Sequence, residues 1–154
     1  MTEIARIRDQ LKRSVEGEAW HGPALAELLR EVTAEQAAQR PLKGGHSIWE
    51  IVLHLTGTAN EILGRLDGIG RTEIPPEDDW PSQPDRPDES EWQAAVSRIR
   101  ELHNQLDRRL SQLDDARMDT PIEEGFSTVY MTLHGHIQHN LYHAGQIALL
   151  RKMF

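Results

Sequence analysis

The stretch His134-Gly135-His136-Ile137-Gln138-His139-Asn140-Leu141-Tyr142-His143 concentrates four of the eight histidines of the chain. It lies in a run without proline from Ser127 to Phe154 that reads as one long helix. At ~100° per residue, His136, His139 and His143 fall within about 60° of one another on the helical wheel. Val129, Ile147 and Leu150 share that face, so these histidines point toward a core, while His134 points toward solvent. His139 and His143 stand four apart, which stacks two imidazoles on successive turns. That spacing lets both reach one metal ion at nitrogen–zinc distances of ~2.0–2.1 Å. Two core histidines satisfied by hydrogen bonds are the plainer alternative, and the third histidine on the face tips the balance toward metal.

The elements that must position this stretch follow from composition and periodicity. A chain of 154 residues suits a single domain, 1–154, with one sizeable core. A formal charge of -8 without a basic cluster argues against nucleic acid and anionic membrane as partners. With no cysteine there is no disulfide, no thiolate ligand and no cysteine nucleophile. The first residues carry no apolar signal segment and no apolar run reaches membrane-spanning length, which makes a cytoplasmic location the default.

Residues Thr2 to Val15 read as an amphipathic helix with Ile4, Ile7, Leu11 and Val15 on one stripe. The pattern breaks at Gly17 and resumes at Pro23, with Gly22 as cap and proline in the first helical position. Thr33-Ala34-Glu35-Gln36 and Ser47-Ile48-Trp49-Glu50 are capping boxes, the second opening a helix to about Leu66. Trp49 and Leu53 lie off the stripe of that helix and suggest contact with another element or subunit. Between Arg71 and Glu89 the periodicity is lost and five of the eight prolines occur, so this is a long crossover around Trp80. Ser90-Glu91-Trp92-Gln93 reads as a third capping box, opening a helix that carries Ile99, Leu106 and Leu113, with His103 beside the stripe as a packed or surface residue. Asp114 to Phe126 is a second connection, and Ser127 can cap the last helix. Four main helices and no strand predict an all-α four-helix bundle, a fold that builds metal sites from facing helices.

A third ligand must come from such a facing helix. His54 is the only histidine inside the second long helix, at the edge of its stripe, with Glu50, Thr58 and Glu61 on its side. Three neutral imidazoles leave a fourth position for water, the pattern of a catalytic zinc-type site.

The segment Ser47-Ile48-Trp49-Glu50-Ile51-Val52-Leu53-His54-Leu55, followed far downstream by His139-Asn140-Leu141-Tyr142-His143-Ala144-Gly145-Gln146-Ile147, resembles the DinB-like superfamily, as does Trp20-His21-Gly22-Pro23. The resemblance covers essentially the whole chain. It implies a bundle of up-down-down-up topology, often dimeric, that binds one divalent transition metal, commonly zinc or nickel, through three histidines. These correspond to His54, His139 and His143. His136 stands where an apolar residue is expected, and is read as supporting a ligand or making a further polar contact.

The resemblance also implies two activities on a small-molecule substrate, metal-dependent hydrolysis and transfer of a low-molecular-weight thiol. Both use an open metal position to lower the pKa of a water or a thiol. Without cysteine, the protein would need the thiol as a cosubstrate. A hydrolase would need a base, for which Glu61 is the candidate, Glu50 being the capping-box residue; Gln146 and Asn140 are placed to orient ligands and Tyr142 to pack between helices. The competing class is a non-catalytic bundle that a metal rigidifies or that binds a partner, with His136 or a carboxylate closing the site.

Overall fold

The computed structural model describes all residues, Met1–Phe154. Four long helices make the bundle: α1 (Glu3–Val15), α4 (Ile48–Leu66), α6 (Glu89–Leu110) and α7 (Val129–Leu150). Three short ones, α2 (Leu25–Leu29), α3 (Ala34–Ala38) and α5 (Pro76–Asp79), lie in the connections. There is no strand, only an isolated bridge between Pro121 and Thr128. Each long helix packs on two others, in the ring α1–α6–α4–α7. No helix is long and apolar enough to cross a membrane.

Local chemistry sets the helix starts. At α4, Ser47 Oγ accepts from the Glu50 amide (3.1 Å) and the Glu50 carboxylate accepts from the Ser47 amide (2.9 Å), closing the expected box. Thr33 and Gln36 do the same at α3. Three starts differ from expectation. The helix after Gly22 begins at Leu25, because the Glu27 carboxylate accepts from the Ala24 amide (2.8 Å) and leaves Pro23 outside. The cap of α6 is Asp88, whose Oδ1 accepts from the Glu91 amide (3.0 Å) and the Ser90 hydroxyl (2.6 Å). An ionised carboxylate at a helix N-terminus also meets the positive end of the helix dipole, so it outcompetes the serine. The cap of α7 is Thr128, which accepts from the Met131 amide, while Ser127 bonds to Thr132. At its far end α6 stops at Leu110, so Leu113 lies beyond it.

The crossover contains the single turn α5, and it is pinned rather than loose. The Glu61 carboxylate accepts from the Arg71 amide (2.6 Å), Arg71 also pairs with Asp78, and Gln83 donates to the Ala38 carbonyl (2.9 Å).

The apolar core forms two clusters. One joins α2 and α3 to Trp49, Leu55, Trp92, Ile99 and the C-terminal half of α7. The other joins Ile4, Ile7 and Leu11 to Ile62, Leu106, Leu110, Val129 and Leu133. Between them, along the helices, come buried polar residues: Ser14 on α1, His54 on α4, His103 on α6, and His136, Asn140 and His143 on α7. Trp49 is buried against Trp92, with ring centroids 5.2 Å apart, and Leu53 packs on the same cluster. Trp49 is therefore spent inside the chain, and Leu53 is partly covered by the same cluster. The indole N–H of Trp92 donates to the Val32 carbonyl at 2.6 Å, which satisfies the one polar atom of a wholly buried ring.

The cap of α6 gives a direct test. Asp88→Ala should destabilise the protein by ~1 kcal/mol in urea unfolding, and Ser90→Ala by clearly less. The reverse order would restore Ser90 as the cap.

Candidate metal centre

Mid-helix positions on α4 and α7 bring His54, His139 and His143 together. Their ligand-type nitrogens all lie within 4.8 Å of one another. Nε2 of His139 stands 2.9 Å from Nε2 of His54 and 3.1 Å from Nε2 of His143. Two nitrogens on one tetrahedral ion, each at ~2.0–2.1 Å, stand roughly 3.4 Å apart, so a small outward shift seats an ion.

Hydrogen bonds on the far edges of two rings fix their protons. His54 Nδ1 is 2.6 Å from the Asp79 carbonyl oxygen, which can only accept. His54 therefore carries its proton on Nδ1 and turns a lone pair at Nε2 inward. His143 Nδ1 is 2.7 Å from Gln146 Oε1, an amide oxygen, with the same result. Two lone pairs thus face His139 Nε2, which has at most one proton to share between them. A set of converging imidazole lone pairs fits a divalent transition ion and does not form a closed hydrogen-bond system.

The electrostatics favour the neutral form of the two rings on α7. Burial, followed by the neighbouring His143 and His54, pushes the pKa of His139 down to about 4. Burial also lowers that of His143, against the opposing hydrogen bond to Gln146. Neutral imidazole is the ligating form.

Residues from outside the histidine motifs complete the surroundings. Trp80, from the crossover, stacks on His54 with centroids 4.0 Å apart and 3° between planes, and His46 stacks on its other side at 3.7 Å. Asp79 supports His54 with its carbonyl and places its carboxylate 3.3 Å from the same Nδ1. Sequence periodicity gave no signal for Asp79 or His46; Trp80 stood out only as an aromatic among prolines.

The other candidates fall elsewhere. Glu61 is buried and held by Arg71 and Arg65, and Glu50 by Arg40 and the Ser47 amide. Burial raises the Glu50 pKa, but the Arg40 and Ser47 hydrogen bonds outweigh it and hold the carboxyl below its usual range. His136 is buried but does not join the converging group, and His103 is buried with Nδ1 donating to the Ile99 carbonyl at 2.8 Å. His134 lies half-buried against Tyr130, 4.0 Å from Glu3, rather than in open solvent. Asn140 faces the buried layer, and Tyr142 is exposed rather than packed between helices.

The all-helical bundle with three convergent histidines at these positions defines a class of helical proteins able to hold a metal ion. The sequence profile of the DinB superfamily matches residues 19–147, and the chain belongs to that superfamily. Neither the curated proteins nor the solved structures give a significant match.

The depressed histidines make metal-free stability depend on pH. His103, His136, His139 and His143 all titrate lower in the folded chain than the ~6.5 of an unfolded histidine. Below 6.5 the unfolded chain binds more protons, so the contribution is complete above that pH and is lost as pH falls toward about 4. The loss approaches ~1.4 kcal/mol per pH unit for each histidine charged only in the unfolded chain. The unfolding midpoint of metal-free protein should fall between pH 6.5 and 4; a flat midpoint across pH 7 to 5 would contradict this.

Proposed function

We propose that this protein is a metal-dependent enzyme in which His54, His139 and His143 bind one divalent transition ion through Nε2, with a fourth position open to a small-molecule substrate. The observation that carries the reading is the pairing of Nδ1 of His54 and of His143 with oxygen acceptors, which leaves two lone pairs aimed at a third ring nitrogen. Ligation by nitrogen alone suits zinc, nickel, copper or iron and disfavours calcium and magnesium; zinc and nickel head the list on the family resemblance.

Transfer of a low-molecular-weight thiol to an electrophile is the reaction class favoured over hydrolysis. A bound divalent ion with an open position would lower the pKa of an incoming thiol. No carboxylate oxygen joins the converging nitrogens, and the two glutamates nearest in sequence to His54 are held by arginines. The His54 helix therefore offers no free carboxylate base for hydrolysis, and the Asp79 carboxylate of the crossover faces the outer nitrogen of His54, 3.3 Å from Nδ1, rather than the converging ones. The chain's own residues supply ligation and orientation: Asp79, Trp80 and Gln146 fix the faces of the rings.

The working unit we propose is a dimer formed through the outer face of α7, in place of Trp49 and Leu53. No residue from Val129 to Leu150 is charged. The exposed side carries Met131, Tyr142 and Leu149, with Gly135 and Gly145 between them, where an added Cβ would meet nothing within 4 Å. A helix without a charged face is covered in most folds, and open glycines allow close approach of a second helix. Tyr142→Glu should convert the dimer to monomer in light scattering; a wild-type monomer at all concentrations would remove the dimer.

Elemental analysis of purified protein should give one ion per chain. His54→Ala, His139→Ala and His143→Ala should each reduce this severalfold, and His134→Ala should leave it unchanged. A 100-fold excess of metal over its Kd should stabilise the fold by ~2.7 kcal/mol. Full occupancy in all three alanine variants would refute the site. Conjugation of a small thiol to an electrophile by the loaded protein, run beside ester hydrolysis, separates the two reaction classes; turnover of the ester alone would reverse the preference.

A further inference from the structure

One turn of α7 carries four buried polar atoms without a partner in the chain: Nδ1 and Nε2 of His136, Nδ1 of His139 and Oδ1 of Asn140. Positions i, i+3 and i+4 make these side chains neighbours on one helix face. His136 is 2% exposed and Asn140 wholly buried. Protein interiors pair nearly all such groups, with protein or with ordered water.

Proton bookkeeping says what is missing. His103 donates from Nδ1 to the Ile99 carbonyl, so its Nε2 accepts, and the Asn140 amide nitrogen must be the group facing it at 3.2 Å. That orientation leaves Asn140 Oδ1 as a free acceptor. His139 turns Nε2 to the converging point, so as a ligand it carries its proton on Nδ1, a free donor. Neutral His136 adds one donor and one acceptor. Two donors and two acceptors remain, which water can match. The two nitrogens of one ring point apart, so a single molecule cannot serve both.

The contrast with the other two ligands gives the layer a purpose. His54 donates to Asp79 and His143 to Gln146, but His139 has no protein acceptor. Ligating histidines almost always donate their second N–H to a carboxylate, a carbonyl or water.

We propose that His136 and Asn140 hold ordered water against Nδ1 of His139, making His136 a positioning residue for the metal ligand. This rests on the three-histidine reading above. A leucine at 136 would fill the same space without orphaned atoms; the histidine is there to hold the water that orients its neighbour.

The test uses the full-length chain with His136→Leu and His136→Gln. Zinc affinity is read by competition with a chromophoric chelator, and the melting temperature is measured on metal-free protein. His136→Leu should weaken zinc binding 10- to 100-fold. Its metal-free melting temperature should equal or exceed that of wild type, because buried unpartnered nitrogens are removed. His136→Gln, which both donates and accepts, should restore affinity to within about threefold of wild type. Unchanged affinity in His136→Leu overturns the inference, as does a loss matched by a lower metal-free melting temperature. If wild type binds zinc and His139→Ala does not, the metal reading stands whatever His136→Leu shows; if wild type binds none, the metal reading itself fails. Should His136→Leu not fold, a high-resolution crystal structure of wild type decides: water within hydrogen-bond reach of His136 and His139 supports the inference, and a dry cavity overturns it.

Discussion

Three imidazole nitrogens within 4.8 Å of one another can stay together inside a protein only if the rings are uncharged, and here the outer edges of two of them are tied down. Everything around the centre serves that constraint. Two rings four residues apart on a rigid helix supply part of the geometry. The third comes from the facing helix, and the crossover lies over it so that the Asp79 carbonyl meets its Nδ1 and the Trp80 ring its face. The crossover in turn is fastened by Glu61, Arg71, Asp78 and Gln83. Half-exposed ion pairs of this type contribute little stability by themselves, although the buried Glu61 carboxylate would be left unpaired if Arg71 were lost. Their visible effect here is to hold a segment without regular structure in one place.

Much of this could be read in the amino-acid sequence. Amphipathic periodicity found the four long helices, and the phase of His136, His139 and His143 on their helix was right, because a helix fixes angular position with little help from the rest of the fold. The boxes at Thr33 and Ser47 were legible because both partners are three residues apart. The cap of α6 is hidden because a serine followed by suitable residues mimics a box, while the aspartate two places earlier already starts the helix by accepting from the Glu91 amide. The position of Trp49 off the stripe signals contact with another element, but not which one, because a wheel reports one helix and not its neighbours; Trp92 and the α2–α3 segment cover that second face.

The support of the centre was the least legible part. Asp79 contributes a backbone carbonyl, which any residue could offer, so no side-chain pattern marks it. Trp80 stacks between His46 and His54, a contact between chain segments far apart in sequence. The polar layer was half visible: His136 stood out as a histidine on an apolar face, but its relation to Ser14, His103 and Asn140 spans three helices and appears only once they pack.

The division of the core into two apolar clusters has a consequence for how the molecule opens. Burial of hydrocarbon drives each cluster separately, and the polar layer between them contributes little of that force. Amide hydrogen exchange would then resolve two units, one around α2, α3 and Trp92, the other around α1 and Met118, each opening at its own free energy. All three converging histidines lie on α4 and α7, two of the three helices that run through both units and through the seam between them. An ion fastened across those two helices would join the units into one cooperative block, so that loading the centre would be felt at amides far from any histidine.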